Sequence, residues 1–260
     1  MANRGMAPVN LRTRLLKVYL KMQNWTVPNL RSSQEFYEKS LDKLVAREMC
    51  WLDLGCGHQL LPSWRKEQEK SLINKCSRIV GIDFDLPSLR AHQNINLRVQ
   101  GDVTKLPFAN ASFDLVTANM VVEHLEFPRA QFHEINRVLK PGGIFVFHTP
   151  NALSHFALMR KMTPAIIKNG LVRLLDGREP EDVFEVQYQA NTPKVITALA
   201  RDTGFEDAEI KMVSTAAVFE VIPPLAFIEL LWIKVLMTER FKRFRTNIIA
   251  ILRKDTIPTT

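Results

Sequence analysis

The amino-acid sequence predicts an α/β fold, a doubly wound and mostly parallel sheet with helices on both faces. Short apolar, β-branched segments alternate with segments of helical periodicity, which is typical of this class. The first predicted strand runs directly into a glycine turn, Gly55-Cys-Gly57. The next two strands each end in an acid, Asp83 and Asp102. Ligands of such sheets bind outside the carboxyl ends of the strands.

The strand and helix predictions follow from apolar spacing and from stop signals. Five strands are predicted at 50–54, 78–85, 96–102, 113–122 and 143–150, and a sixth at 209–214. Helices are predicted at 60–77, 86–94, 128–139 and 191–205. The sequence KPGG stops the third of these helices. Thr192 caps the fourth, which has Pro193 in its first turn and ends at Gly204.

The chain contains no internal repeat and no low-complexity linker, so one domain with additions is the simplest organisation. We expect a helical, basic N-terminal extension at 1–47 and the main domain at 48–215. Residues 151–190 lack strand character and are predicted to be a helical insert on the substrate side. Residues 216–260 are predicted to be an apolar and basic tail. The polar segment 63–75 is interpreted as an insertion that projects from the surface.

Composition limits the function classes. The 260 residues are 46% hydrophobic and 24% charged, an ordinary globular balance that permits a sizeable core. A net charge of +8 permits an acidic partner such as RNA, anionic lipid or a phosphorylated substrate, without choosing among them. Three cysteines without CxxC spacing favour neither metal nor disulfide and fit a reducing cytoplasm. No signal peptide is predicted, and charges and prolines interrupt the most apolar segment, 216–237, so no membrane span is predicted.

The glycine loop fits several nucleotide ligands. A dinucleotide fingerprint would carry a third glycine where this chain has Leu60. Asp53, two residues before Gly55, would repel a pyrophosphate and attract an ammonium group. At ~4 Å and an effective dielectric of ~20, such a contact is worth roughly 4 kcal/mol. The sequence therefore favours a nucleoside that bears an amine, and it disfavours a dehydrogenase.

Four motifs in order carry a family resemblance: "LDLGCG", "VGIDFD", "GDVTKLPFANASFDLV" and "EINRVLKPGG". They resemble the successive motifs of the class I S-adenosylmethionine-dependent methyltransferases, which have a Rossmann-like fold. The closest group includes the ubiquinone-biosynthesis O-methyltransferases and bacterial glycan and lipid-linked-sugar methyltransferases. The resemblance covers residues 48–150 and implies S-adenosylmethionine as cofactor, but it does not identify the acceptor.

The resemblance also implies a set of cofactor-binding residues. The first motif would hold the methionine portion, and Asn119 would contact the same end of the cofactor. Asp83 would accept hydrogen bonds from the ribose hydroxyls, because a carboxylate can take two hydroxyl donors. Asp102 would accept from the adenine amine, and the Val103 N–H would face the ring. The full set is Asp53, Gly55, Cys56, Gly57, Asp83, Phe84, Asp102, Val103 and Asn119.

Two histidines are candidate catalytic residues, because methyl transfer to oxygen usually needs a base. His124 follows the fourth strand and His148 ends the fifth. A capping or packing role is the alternative for each, and His58 is interpreted as a packing residue on the cofactor side. In the ubiquinone O-methyltransferases and the small-RNA 2′-O-methyltransferases, the stretch that matches residues 120–124 reads Glu-x-x-Glu-His and holds a divalent metal. Met120 replaces its first glutamate here, so no metal is predicted.

The acceptor is predicted to be a small molecule, a glycan or a lipid-linked compound. Residues 227–245 combine apolar and basic side chains. Such a helix can lie on an anionic bilayer, pack on the domain or form a homodimer interface. We expect a cytoplasmic enzyme, either free or associated with the cytoplasmic face of a membrane. The alternatives are an RNA methyltransferase, which the lack of an RNA-binding module disfavours, and a non-catalytic scaffold that binds S-adenosylmethionine.

Overall fold

A computed structural model of the chain describes residues 11–162 and 186–256. The described residues form two compact units. The first unit comprises 11–33, 153–162 and 213–246, and the second comprises 34–152, 186–212 and 247–256.

The second unit is built on a seven-stranded sheet with the strand order β3-β2-β1-β4-β5-β7-β6. Strands β1 to β5 are parallel where they pair, and β7 runs antiparallel to β5. This confirms the predicted, mostly parallel α/β fold. The strands are β1 (Cys50–Leu54), β2 (Arg78–Asp83), β3 (Leu97–Gln100), β4 (Phe113–Asn119), β5 (Leu139–Pro150), β6 (Phe205–Val213) and β7 (Asn247–Lys254).

Eight α-helices lie within the described residues. They are α1 (Leu11–Thr26), α2 (Ser33–Leu44), α3 (Lys66–Ile73), α4 (Leu86–Ala91), α5 (Pro128–Val138), α6 (His155–Met162), α7 (Pro193–Asp202) and α8 (Pro223–Leu236). Short 3-10 segments lie at Ser63–Arg65, Val122–His124 and Glu239–Phe244. Helix α6 belongs to the predicted insert at 151–190, and residues 163–185 of that insert lie outside the described residues. No helix within 11–162 or 186–256 is long and apolar enough to cross a membrane.

The core of the second unit covers both faces of the sheet. Residues 51–54 of β1 are each at most 2% exposed. Because successive side chains of a strand point to opposite faces, both faces of β1 are covered. An aromatic cluster fills part of this core. Phe132 of α5 makes edge-to-face contacts with Phe145, Phe147 and Phe205. Buried aromatic area of this kind fixes α5 on the central strands.

The segment 63–75 is not a projecting insertion, contrary to the sequence interpretation. It contains α3, which supplies the crossover that the parallel strands β1 and β2 require. Glu69 and Leu72 of this helix are buried. The Glu69 carboxylate accepts hydrogen bonds from the Leu61 backbone N–H (2.8 Å) and from Asn94 Nδ2 (2.6 Å).

The predicted helix 128–139 ends at Val138, and β5 begins at the next residue. The sequence KPGG therefore lies within the strand instead of between helix and strand. Gly142 makes this possible, because it adopts φ +73° and its N–H donates to the Asp255 carbonyl. The Thr192 cap of α7 is confirmed, since its side chain accepts from the Val195 N–H.

The tail contains a sheet strand that the sequence does not separate from its neighbours. Residues 247–254 form β7, which lies between β5 and β6. In β7, Ile248, Ile249, Ala250 and Leu252 are at most 1% exposed. The preceding tail residues form α8 and belong to the first unit.

The first unit is held by contacts between α1 and α8. Its buried core includes Tyr19, Leu230 and Ile233. The Tyr19 hydroxyl accepts from the Ala217 N–H (2.9 Å), and burial raises the pKa of Tyr19 to about 12. Glu229 of α8 is buried, with one carboxylate oxygen 2.9 Å from His155 Nε2. These polar pairs satisfy groups that would otherwise be costly to bury.

A charge at Ala250 should destabilise the sheet, because this fully buried β7 residue pairs with Phe147 of β5. We expect Ala250→Asp to lower the free energy of unfolding by more than about 2 kcal/mol. Arg253→Asp, on an exposed residue of the same strand, is the matched control and should change it by less than about 0.5 kcal/mol. Urea unfolding measures both, and an equally small effect of the two substitutions would contradict the placement of β7.

Candidate functional site

The carboxyl ends of the parallel strands β1 to β5 lie level with one another. Their pairing register places one residue from each strand, or directly after it, in a single row across the sheet. The row reads Gln100, Asp83, Gly55, Asn119 and His148. Four of these five residues are site candidates from the sequence. The register therefore brings together candidates that are as far as 93 positions apart in the chain.

The glycine loop after β1 has a backbone that other residues rarely adopt. Gly55 has φ +63° and Gly57 has φ +50°. A Cβ on Gly55 would lie 2.5 Å from a methyl carbon of Val121, so both conformation and packing require glycine there. A Cβ on Gly57 would meet nothing within 4 Å. The loop therefore has open space beside Gly57, where a ligand can approach the backbone.

Hydrogen bonds tie this loop to the end of β2. The N–H groups of Gly55 and Cys56 donate to the Ile82 carbonyl, at 2.8 and 3.2 Å. The Gly57 N–H donates to Asp83 Oδ2 at 2.8 Å. The Asp85 N–H donates to the other oxygen of Asp83 at 2.9 Å. Each oxygen of Asp83 has one such donor, and an ionised carboxylate offers about four acceptor sites, so both oxygens can accept further hydroxyl donors.

The remaining predicted adenosine contacts lie after β2 and β3. Asp102 is exposed, and one of its oxygens accepts from the Thr104 N–H (2.7 Å) in the turn after β3. Val103 is half-buried. The Phe84 side chain is 59% exposed directly after Asp83, and its carbonyl accepts from Gln100 Nε2 (3.0 Å). The turns that carry these three residues thus lie at the ends of neighbouring strands.

Asp53 does not present a surface carboxylate, which corrects the electrostatic argument made from the sequence. It is 2% exposed, and Thr117 Oγ1 donates to its Oδ1 at 2.5 Å. The Thr117 hydroxyl in turn accepts from Trp51 Nε1 at 2.7 Å. Burial raises the pKa of Asp53 to about 8. The bond from Thr117 opposes this, while the charges of Glu69 and Asp83 add to it. Near neutral pH the Asp53 carboxyl is therefore mostly protonated. A protonated carboxyl has no charge, so it attracts an ammonium group only when it loses that proton.

His148 has a protein partner at each ring nitrogen. Nδ1 donates to Asn119 Oδ1 (2.9 Å), and Nε2 accepts from Asn247 Nδ2 (3.2 Å). The ring stacks on Tyr37, with centroids 5.7 Å apart, and burial lowers the pKa of His148 to about 4. This arrangement indicates that the His148 ring is neutral and orients Asn119. It does not favour a role as the base that takes a proton from the acceptor. Asn247 was missed in the sequence, because it lies in the strand hidden in the tail.

Asn119 is held from a second side. Its Nδ2 donates to Gln34 Oε1 of α2 (3.3 Å) and approaches the Leu60 carbonyl (3.5 Å). Gln34 is buried and was not among the predicted site residues. Nothing in its local sequence distinguishes it from any other polar residue near a helix start.

His124 ends the 3-10 turn after β4, and its side chain is 30% exposed. Its neighbour Glu123 is buried and accepts from Thr149 Oγ1 at 2.8 Å. Asn191 Nδ2 donates to the same hydroxyl at 2.6 Å. This buried chain anchors the turn that carries His124, and sequence reasoning missed Thr149 and Asn191. His58, by comparison, is exposed after the glycine loop.

The described residues contain no group of three or more His, Cys, Asp or Glu side chains placed to hold a metal ion. Glu123 and His124 approach no closer than 4.0 Å between Oε1 and Nε2. The site described here is thus made of backbone, carboxyl, amide and imidazole groups.

Comparison with known proteins relates part of the chain to methyltransferases. Residues 52–147 match a family model described as a methyltransferase domain. The chain is 30% identical over 141 residues to a probable S-adenosylmethionine-dependent methyltransferase of Mycolicibacterium smegmatis, covering 50% of this chain and 51% of that protein. It is 34% identical over 113 residues to the malonyl-[acyl-carrier protein] O-methyltransferase of Hahella chejuensis, covering 40% and 39%. The chain thus spans about half or less of the length of these two relatives.

A solved structure shows the same fold. The YcgJ protein of Bacillus subtilis superimposes with a TM-score of 0.51 at 16% identity, over 85% of this chain and 98% of that one. Residues 52–147 match a methyltransferase domain in sequence, and that match implies S-adenosylmethionine as the cofactor. The residues present fit this cofactor, because the open side of Gly57 and the remaining acceptor capacity of Asp83 lie at the same strand ends.

Two buried groups act on stability in opposite directions as pH changes. The native state keeps the proton of Asp53 up to about pH 8, whereas an unfolded aspartate loses it near pH 3.8, so stability falls as pH rises between these values. His148 resists protonation down to about pH 4, whereas an unfolded histidine titrates near 6.5, so stability rises with pH between these values. Above pH 6.5 the contribution of His148 fades as the unfolded histidine loses its remaining proton, so Asp53 makes the larger contribution up to pH 8.

Asp53→Asn should remove the loss of stability above pH 6.5, because the amide keeps an acceptor for Thr117 and cannot ionise. We expect the free energy of unfolding of the variant to gain on that of the wild type by about 1 kcal/mol per pH unit between pH 6.5 and 8. Urea unfolding at several pH values measures the difference. Asp207→Asn, at an exposed position, should run parallel to the wild type. A parallel course for Asp53→Asn as well would show that Asp53 is ionised throughout.

Proposed function

We propose that the chain is an S-adenosylmethionine-dependent methyltransferase that methylates an oxygen atom of a small, glycan or lipid-linked acceptor. The single observation that carries this proposal is the Asp83 carboxylate, which fixes the glycine loop and retains acceptor sites for the ribose hydroxyls. The methyltransferase-domain match supports the cofactor. The O-methyltransferases among the relatives support an oxygen acceptor.

S-adenosylmethionine supplies a methyl group on a positively charged sulfur. The protein's part is to align the acceptor with that group and to exclude water. In this proposal Asp83 binds the ribose, and Asp102 and Val103 bind the adenine. The loop of Gly55 and Gly57 admits the methionine portion, and Asn119, oriented by His148, contacts the same end.

His124 is the favoured base of the two candidate histidines. Its side chain is 30% exposed after β4, whereas His148 is only 3% exposed. With S-adenosylmethionine bound as the methyl donor, His124 would take the proton of the acceptor hydroxyl. The products are the methylated acceptor and S-adenosylhomocysteine.

The function is tested by incubating the full chain with methyl-labelled S-adenosylmethionine and separated lipid, glycan, small-molecule, protein and RNA fractions. We expect label in a lipid, glycan or small-molecule fraction. Label in RNA alone would favour an RNA methyltransferase instead. A folded protein that binds the cofactor and labels no fraction would favour a non-catalytic scaffold.

Asp83→Asn should weaken cofactor binding. The amide Nδ2 cannot accept a hydroxyl donor, and it would face either the Gly57 or the Asp85 N–H. We expect at least a tenfold rise in the Kd of S-adenosylhomocysteine, measured by calorimetry. Asp85→Asn is the matched control, because asparagine caps α4 as well as aspartate does. Equal affinities of the two variants for S-adenosylhomocysteine would show that Asp83 does not bind the ribose.

His124→Ala should slow methyl transfer without weakening cofactor binding. A general base contributes about 10²–10⁴-fold, so we expect a loss of kcat within that range. The Kd of S-adenosylhomocysteine should stay within twofold of the wild type. A variant that transfers methyl groups at the wild-type rate would show that His124 has a packing role.

A further inference from the structure

Eight exposed apolar residues of the first unit lie on two of its helices, and we name this set the docking face. It consists of residues on the outer sides of α1 and α8, and Trp25 (77% exposed) and Leu11 (69%) are its most exposed members. Scattered exposed apolar residues are ordinary, whereas a set that recurs along the same helices indicates a binding surface. The docking face comprises Leu11, Val18 and Trp25 of α1 and Leu225, Ile228, Leu231, Trp232 and Val235 of α8.

Helix α8 is apolar on two opposite sides. Its inner side contributes Ala226, Leu230, Ile233 and Leu236, all fully buried. The members of the docking face recur at three- and four-residue spacing, which places them in one stripe away from that inner side. A helix that only packs on its own domain has a polar outer side. Helix α8 therefore has more apolar residues than its packing within the first unit requires.

Helix α1 extends the stripe. Its three members are spaced by seven residues and so lie on one side of the helix. The Trp25 ring stacks on Phe227 of α8, with centroids 6.2 Å apart and an interplanar angle of 17°. This contact joins the apolar sides of the two helices within the first unit.

Basic residues accompany the docking face. Arg14, Lys17 and Lys21 lie on α1, and Arg240 and Lys242 lie in the segment after α8; all five are exposed. The described part of the first unit contains twelve arginines and lysines but only three acids, a net charge of +9. Of the acids, Glu229 is buried beside His155, and Glu239 pairs with Arg245 and Lys242. The whole chain has a net charge of +8, so all the other residues together have a net charge of only −1.

We propose that the docking face binds the surface of an anionic lipid bilayer. An apolar side with exposed tryptophan and a basic margin is the pattern of interfacial helices, in which apolar side chains enter the headgroup region and basic ones face anionic lipid. Self-association through the same face would bring two units of charge +9 together, which is unfavourable. RNA binding would use the basic residues but would leave the aliphatic stripe in water.

This inference goes beyond the proposed methyl transfer and does not depend on it. The docking residues lie on α1 and α8, whereas the cofactor site is made by the strand ends of the second unit. Loss of vesicle binding and loss of cofactor binding are thus separate results.

Vesicle co-sedimentation of the full chain tests the proposal. The probes are phosphatidylcholine vesicles with and without 30% phosphatidylglycerol. We expect at least tenfold tighter binding to the anionic vesicles, weakened by 0.5 M NaCl, and a blue shift of tryptophan emission on binding that Trp25→Phe diminishes. No binding by the folded protein, or equal binding to both vesicles, would overturn the proposal.

Paired variants separate the docking face from general surface properties. Ile228→Glu with Leu231→Glu should reduce binding to anionic vesicles at least tenfold, as should Lys17→Glu with Lys21→Glu. Phe127→Glu, at an exposed apolar residue of the second unit (63%), should bind as the wild type does. All variants should keep the wild-type Kd for S-adenosylhomocysteine. Unchanged binding by both double variants, or a stable dimer or RNA complex formed through this face in place of vesicle binding, would contradict the assignment.

Discussion

The register of the parallel strands is the constraint on which the site depends. Because β1, β2 and β4 end level with one another, the glycine loop, the Asp83 carboxylate and the Asn119 amide lie side by side. The hydrogen bond from the Gly57 N–H to Asp83 then converts this alignment into a fixed loop conformation. The Asp83 carboxylate thus holds the loop in its conformation. The same carboxylate keeps acceptor sites for a ligand.

Buried polar chains hold the rest of this edge in place. Trp51, Thr117 and Asp53 form one chain inside the sheet, and Asn247, His148 and Asn119 form another. Partly satisfied networks of this kind are costly, whereas fully paired ones specify a single arrangement. The raised pKa of Asp53 and the lowered pKa of His148 are the electrostatic cost of this burial. The same burial orients the Asn119 amide, because hydrogen bonds to His148 and Gln34 together leave it little freedom to rotate.

The sequence predicts those features that depend on residues close to one another along the chain. Apolar segments, glycine turns and acids at strand ends are local signals, and they locate β1 to β5 and the row of site residues. Features set by distant pairing are not local. Strand β7 is recognised by its pairing with β5, which joins residues about 100 positions apart such as His148 and Ile249, and the local sequence does not show that pairing. The burial of Asp53 depends on Thr117, 64 positions away, and Gln34 reaches Asn119 across 85 positions. The polar surface of α3 conceals that Leu72 packs inside.

The central claim is that the Asp83 row binds the adenosine and methionine portions of S-adenosylmethionine. A crystal structure of the full chain with S-adenosylhomocysteine tests it most directly. We predict both ribose hydroxyls within hydrogen-bond distance of the Asp83 carboxylate, the methionine portion beside Gly55 and Gly57, and the adenine amine at Asp102. A ligand bound elsewhere, or a ribose that makes no contact with Asp83 while the loop keeps its conformation, would contradict this account of the site.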